Sequence, residues 1–151
     1  MIVFVFLAMS QWAVGYIMRT SQQTRSITAL QIRSLQTDEK SKNRFVVVDV
    51  RSKEETDVSV IPGSLTKSEF EKTASQHHGK TVIVYCTTGV RSNDYAGTLN
   101  QKGWRAWNYK GSILDWCKNE FPLMTQDGKP TKRVHTYSRW YPAPGEYVAV
   151  Y

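Results

Sequence analysis

The chain is predicted to fold as an α/β domain: a central parallel sheet with helices on both faces, preceded by one apolar helix. Three observations point there. Residues 45–48 and 82–85 are continuous apolar runs rich in β-branched side chains, the pattern of strands covered on both faces. Segments of helix-like spacing alternate with such runs, and that alternation builds a parallel sheet. The chain has 151 residues and two cysteines, Cys86 and Cys117. That is length enough for one proper core and too few thiols for a disulfide framework.

Taken in order, residues 1–18 (MIVFVFLAMSQWAVGYIM) are apolar apart from Ser10 and Gln11. As a helix they would extend about 27 Å, just short of a hydrocarbon core of roughly 30 Å. No Lys or Arg precedes the run and no small-x-small cleavage site follows it, so we read an uncleaved single-span anchor. A cleaved signal peptide with an exported domain, or a misassigned start with a soluble one, are the alternatives. Arg19, Arg25 and Arg33 follow the segment, which by the positive-inside rule leaves the domain on the cytoplasmic side, where a thiol stays reduced.

Residues 19–26 read as a polar linker and 27–120 as the folded domain. Ile27 opens a small edge strand, and Thr28 caps a helix carrying Leu30, Ile32 and Leu35. A charged turn at 40–44 precedes the strand at 45–50. Pro62-Gly63 marks a turn, and 68–75 a short helix with Phe70 and Ala74 on one side. After the strand at 82–85, Ser92 or a neighbour is expected to cap a helix with Asp94 in its first turn. Tyr95, Ala96 and Leu99 should face inward and Gly103 should stand just past its end. Residues 105–109 read as a further strand and 113–119 as a further helix. Residues 121–151 form an extension expected to pack its aromatics back on the domain, with His135 given no role.

The chemistry concentrates in Cys86-Thr87-Thr88-Gly89-Val90-Arg91-Ser92. A cysteine at the carboxyl end of a buried parallel strand, followed by a tight glycine-containing loop and a helix, stands where such sheets bind ligands. Backbone N–H groups turned inward above a helix start form a concave site for negative charge. A thiol there falls from its free pKa of about 8.5 to roughly 3.5–7.5. Cys86 is therefore the candidate nucleophile and residues Thr87, Thr88, Gly89, Val90 and Arg91 its anion cradle. Asp49 and Arg51, ending the neighbouring strand, are read with Ser92 as supporting residues that hold the loop. Cys117 reads as packing. His77 and His78 have no metal-ligand spacing, so neither metal nor cofactor is expected. Twenty Lys and Arg against thirteen Asp and Glu give a formal net charge of +7. No Arg-rich run with interleaved aromatics accompanies that charge, so nucleic acid is not an expected partner.

Four segments, in order, resemble the single-domain rhodanese (thiosulfate sulfurtransferase-like) family. They are Asp49-Val50-Arg51, Ile61-Pro62-Gly63, the loop Cys86 to Ser92, and the helix start at Gly111 leading to Trp116. The resemblance spans residues 27–123. It departs where Val60 stands for a frequent histidine, Ser64 for alanine, and Gly111-Ser112 for a glycine pair. The tail resembles one found in some small bacterial rhodaneses. The family implies a three-layer fold and a two-step sulfur transfer. Cys86 takes sulfur from a small anionic donor such as thiosulfate, and a thiol or protein thiol removes it. Thr87 and Thr88 would add hydroxyl donors, and Arg91 would either bind the donor or tie the loop to its neighbours. Phosphatases and arsenate reductases of the same fold carry five residues between Cys and Arg, whereas here four stand between Cys86 and Arg91. A tethered adaptor without turnover is the third reading.

Overall fold

The computed structural model describes residues 24–151. The expected helix over residues 1–18, and most of the linker, lie outside them. No helix among the described residues is long and apolar enough to cross a membrane.

Five strands form one parallel sheet: β1 (Arg25–Ser26), β2 (Phe45–Asp49), β3 (Leu65–Thr66), β4 (Thr81–Tyr85) and β5 (Arg105–Asn108), in the order β1-β5-β4-β2-β3. Side chains alternate across a strand, so β4 feeds two cores. Ile83 and Tyr85 join the layer containing Ile32, Ile113, Trp116 and Cys117, under α1 (Ala29–Thr37) and α5 (Ser112–Lys118). Val82 and Val84 join Phe70, Ala96 and Leu99, under α3 (Lys67–Lys72) and α4 (Val90–Gln101). Between β2 and β3 lies α2 (Lys53–Val58).

Three helices start on capping boxes, where a Ser or Thr hydroxyl and a Glu carboxylate or Gln carbonyl oxygen satisfy the first free N–H groups. They are Thr28 with Gln31, Ser52 with Glu55, and Thr66 with Glu69. The expected helix at 68–75 therefore begins one residue earlier and gives way to a 3-10 turn at Ala74–His77. A second correction concerns α4. Its cap is Gly89, at φ 96°, so Ser92 lies inside the helix and Asp94 beyond its first turn. Gly103 follows its end at φ 87°, as read.

The extension carries secondary structure of its own. It carries β6 (Leu123–Met124), β7 (Pro130–Thr131), β8 (Arg133–His135) and β9 (Val148–Val150). Leu123, Val134 and Tyr147 enter the core beneath α1 and α5. Of the tail's aromatics, Phe121 and Tyr147 pack inward as expected, while Tyr137, Trp140, Tyr141 and Tyr151 stay exposed.

Candidate active site at the end of the fourth strand

Residues 86–92 turn from the carboxyl end of β4 into α4, and two neighbours set the direction of the loop's main chain. The Ile113 N–H, at the start of α5, donates to the Cys86 carbonyl at 3.1 Å. The Asn108 side-chain amide, at the end of β5, donates to the Gly89 carbonyl at 3.2 Å. With carbonyls drawn outward, the N–H groups turn in, and the Gly89 N–H donates to Cys86 Sγ at 3.1 Å. Only glycine can stand at 89: φ is 96°, and a Cβ there would lie 2.1 Å from the Lys110 carbonyl oxygen.

Two serines complete the niche. Ser92 Oγ sits 3.5 Å from Sγ and 2.7 Å from Asn108 Oδ1, the two acceptors that share its one proton. Ser112, fully buried, was not among the expected site residues. Its Oγ accepts from the Cys86 N–H at 3.0 Å, donates to the Tyr109 carbonyl at 2.8 Å and lies 3.8 Å from Sγ. Ser112 holds a left-handed backbone at φ 55°, which costs a non-glycine residue about 1–2 kcal/mol. Its hydroxyl offsets that cost by satisfying the buried Cys86 N–H. The departure from a glycine pair in the sequence was the signal available for it.

The electrostatics follow from these donors. Burial alone would push the Cys86 thiol up. The Ser92 hydroxyl and the main-chain N–H groups of Ser92, Gly89 and Thr88 together outweigh it, so the thiol lies below its ordinary value. The exposed Thr88 offers this main-chain group to the sulfur rather than a hydroxyl.

The side chains of Arg91 and Thr87 turn to a neighbouring helix, the second of the two roles expected of Arg91. The Arg91 guanidinium donates to both oxygens of Glu55, at 2.7 and 2.8 Å, and to Thr87 Oγ1 at 2.9 Å. Thr87 Oγ1 donates to Glu55 at 2.7 Å. Arg91 thus ties the loop to α2. Burial would raise the Glu55 carboxyl, but Arg91, the Ser52 N–H and Thr87 bring it down to about 2. Glu55 was missed, although the Ser52-x-x-Glu55 capping pattern marks it. A further contributor is Tyr137 of the extension, whose ring centre lies 5.2 Å from the Arg91 guanidinium carbon. Its left-handed backbone, at φ 68°, is held by its N–H donating to His135 Nδ1 at 3.0 Å.

Asp49 and Arg51 form an ion pair with both side chains fully buried, and Arg51 also donates to the Ser59 carbonyl at 2.7 Å. Tyr85 Oη accepts from the Ile61 N–H at 3.0 Å. These groups brace residues 59–61 beside the loop and make no hydrogen bond to Sγ. His77 and His78, at the other end of the sheet, stack on Phe70 and Trp104.

The arrangement defines a class: an α/β domain presenting one thiol within a ring of main-chain amides at the carboxyl edge of a parallel sheet. The chain belongs to the rhodanese-like sulfurtransferase family, whose rhodanese-like domain matches residues 29–119. It is similar to a protein named sulfurtransferase from Allochromatium vinosum, 28% identical over 93 residues that cover 55% of this chain and 81% of that one. It is similar also to the probable adenylyltransferase/sulfurtransferase MoeZ of Mycobacterium tuberculosis. There the identity is 32% over 91 residues, 56% of this chain but 23% of the longer protein. Among solved structures, a rhodanese-like domain protein from Staphylococcus aureus superposes with a TM-score of 0.53 at 26% identity, covering 62% of this chain and 91% of that one.

Proposed function

We propose that the protein moves sulfane sulfur through a Cys86 persulfide. The Cys86 thiolate attacks the outer sulfur of a donor such as thiosulfate or a persulfide. The donor's S–S bond breaks, its electron pair leaves with sulfite or a thiolate, and the transferred sulfur stays on Sγ. An acceptor thiolate then attacks that sulfur, and Cys86 departs as the thiolate it began as. No electron is gained or lost by the protein over the cycle.

The observation that carries this reading is the Gly89 N–H on Sγ at 3.1 Å, joined by donors that lower the thiol. Preorganised N–H groups act on an anionic sulfur as an oxyanion hole acts on oxygen. The four-residue span between Cys86 and Arg91 favours a single sulfur over a tetrahedral phosphate. Asp49, Arg51, Ser92, Thr87 and Arg91 then serve by holding the loop, with Arg91 already engaged by Glu55. Small anionic donors and thiol or protein-thiol acceptors are the partners this chemistry needs. For location, we keep the anchor reading of residues 1–18, with the domain on the cytoplasmic side.

Intact-mass measurement after thiosulfate, or after a low-molecular-weight persulfide, should show one added sulfur atom that a thiol acceptor removes. No adduct with either donor would favour the adaptor reading, and rapid hydrolysis of aryl phosphates the phosphatase one.

A further inference from the structure

Opposite Cys86, at the end where the strands begin, the chain's positive charge collects. Three surface cavities open there, of about 280, 480 and 570 Å³, and Lys80 lines all of them. Arg33, Lys42, Arg44, Lys102 and Arg105 line one or more, and no Asp or Glu lines any. Arg25 joins them, its guanidinium carbon 4.3 Å from the centre of the Trp107 ring that lines the largest cavity. Two carboxylates interact with these cations: Asp38, within electrostatic reach of Arg44, and Glu39, paired with Lys42. Seven cations against these two carboxylates leave this face with a local excess of positive charge.

Topology says what adjoins it. β1 runs parallel to β5, with Arg25 opposite Trp107, so the chain arrives at Arg25 from the end of the sheet where the strands begin. The apolar stretch 1–18 ends seven residues before Arg25. Even fully extended, those residues reach only about 25 Å. The apolar stretch 1–18 therefore joins the domain at its basic face.

We propose that this face docks on an anionic bilayer, with the Cys86 loop held away at the opposite end of the sheet. Lys and Arg side chains close to anionic headgroups are attracted within a Debye length, so the contact should weaken with salt. Trp104 and Trp107, both half-buried in this face, suit the headgroup region. The proposal rests on charge and topology and is separate from the sulfur chemistry.

Amide hydrogen exchange of the full chain decides it, measured on vesicles of phosphatidylcholine alone and of equimolar phosphatidylcholine and phosphatidylglycerol. Exchange at residues 79–81 and 102–105 should slow several-fold on the anionic vesicles only. High salt or the double variant Lys80→Glu, Arg105→Glu should abolish the slowing, while residues 86–91 exchange as in the free chain. The double variant should keep its sulfur-transfer rate, which reports an intact fold; Lys80→Gln with Arg105→Gln is the milder substitute. Flotation on the uncharged vesicles tests the anchor reading separately. Equal slowing on both vesicles, slowing at residues 86–91 instead, or the same slowing from inorganic phosphate alone would overturn the proposal.

Discussion

Cys86 and Cys117 are equally hidden, 1% and 0% exposed, yet their thiols are driven in opposite directions. Cys117 lies on α5 in the layer of Ile113, Trp116 and Leu123. Burial pushes its thiol up to about 12, against a weaker pull from Arg51 and Lys132. At Cys86 the same burial is overcome by one hydroxyl and three main-chain N–H groups. Depth thus says nothing about reactivity. The direction of nearby donors decides it, because each N–H aimed at sulfur stabilises only the charged form. The difference arises from position: Cys86 ends a strand where the main chain is free to turn, while the N–H groups around Cys117 are committed to its helix.

Exchanging one atom at each cysteine tests the contrast with the largest effect. Cys86→Ser should reduce sulfur transfer to background, and Cys117→Ser should leave the rate close to wild type in the same turnover assay. If Cys117→Ser halts turnover after one cycle, Cys117 is a resolving thiol and the two sites are partners rather than opposites.

Next in size is Gly89→Ala. The added methyl drives the loop off the Lys110 carbonyl and removes the N–H on sulfur. We expect a loss of about 10²-fold in kcat, as for removal of one oxyanion-hole donor. Unchanged kcat would show that the amide ring is dispensable.

Ser92→Ala should act more mildly and in a stated direction. Losing a group that lowers the Cys86 thiol raises its pKa, so less thiolate is present at neutral pH. The pH midpoint for alkylation of Cys86 by iodoacetamide should move up, with roughly a tenfold slower reaction per unit on the acidic side. A midpoint that stays put would assign the lowering to the main chain alone.

The smallest change concerns the brace rather than the sulfur. Glu55 has its folded pKa depressed to about 2 from 4.5, so its ion pair contributes stability that is full above 4.5 and lost as pH falls through about 2. Glu55→Gln should lower the urea midpoint near neutrality and flatten its fall across that acid window. An equally steep fall in the variant would place the acid sensitivity elsewhere.

Much of the fold was legible because its determinants are neighbours in the chain. The runs at 45–48 and 82–85, the Thr28 cap and Gly103 past the end of α4 are each decided within a few residues, by burial pattern or backbone geometry. That Ser92 was named first among the candidate caps has a local reason as well. A serine before a helical run ordinarily caps it, but Gly89, with its positive φ, had already started the helix three residues earlier.

The amino-acid sequence by itself determined the parallel sheet, the cysteine at the end of β4, the four-residue span to Arg91 and the glycine that lets the loop close. Tertiary structure alone decided what surrounds the sulfur. Ser112 reaches Cys86 across 26 residues, Glu55 reaches Arg91 across 36, and Tyr137 comes from the extension to cover Arg91. Such contacts depend on the order of strands in the sheet, which brings the ends of β4 and β5 and the start of α5 together. A hydroxyl or carboxylate carries no local sign of which distant N–H or guanidinium it will meet. The same ordering gathers cations spread from Arg25 to Arg105 onto one face, a charge pattern with no counterpart in their spacing along the chain.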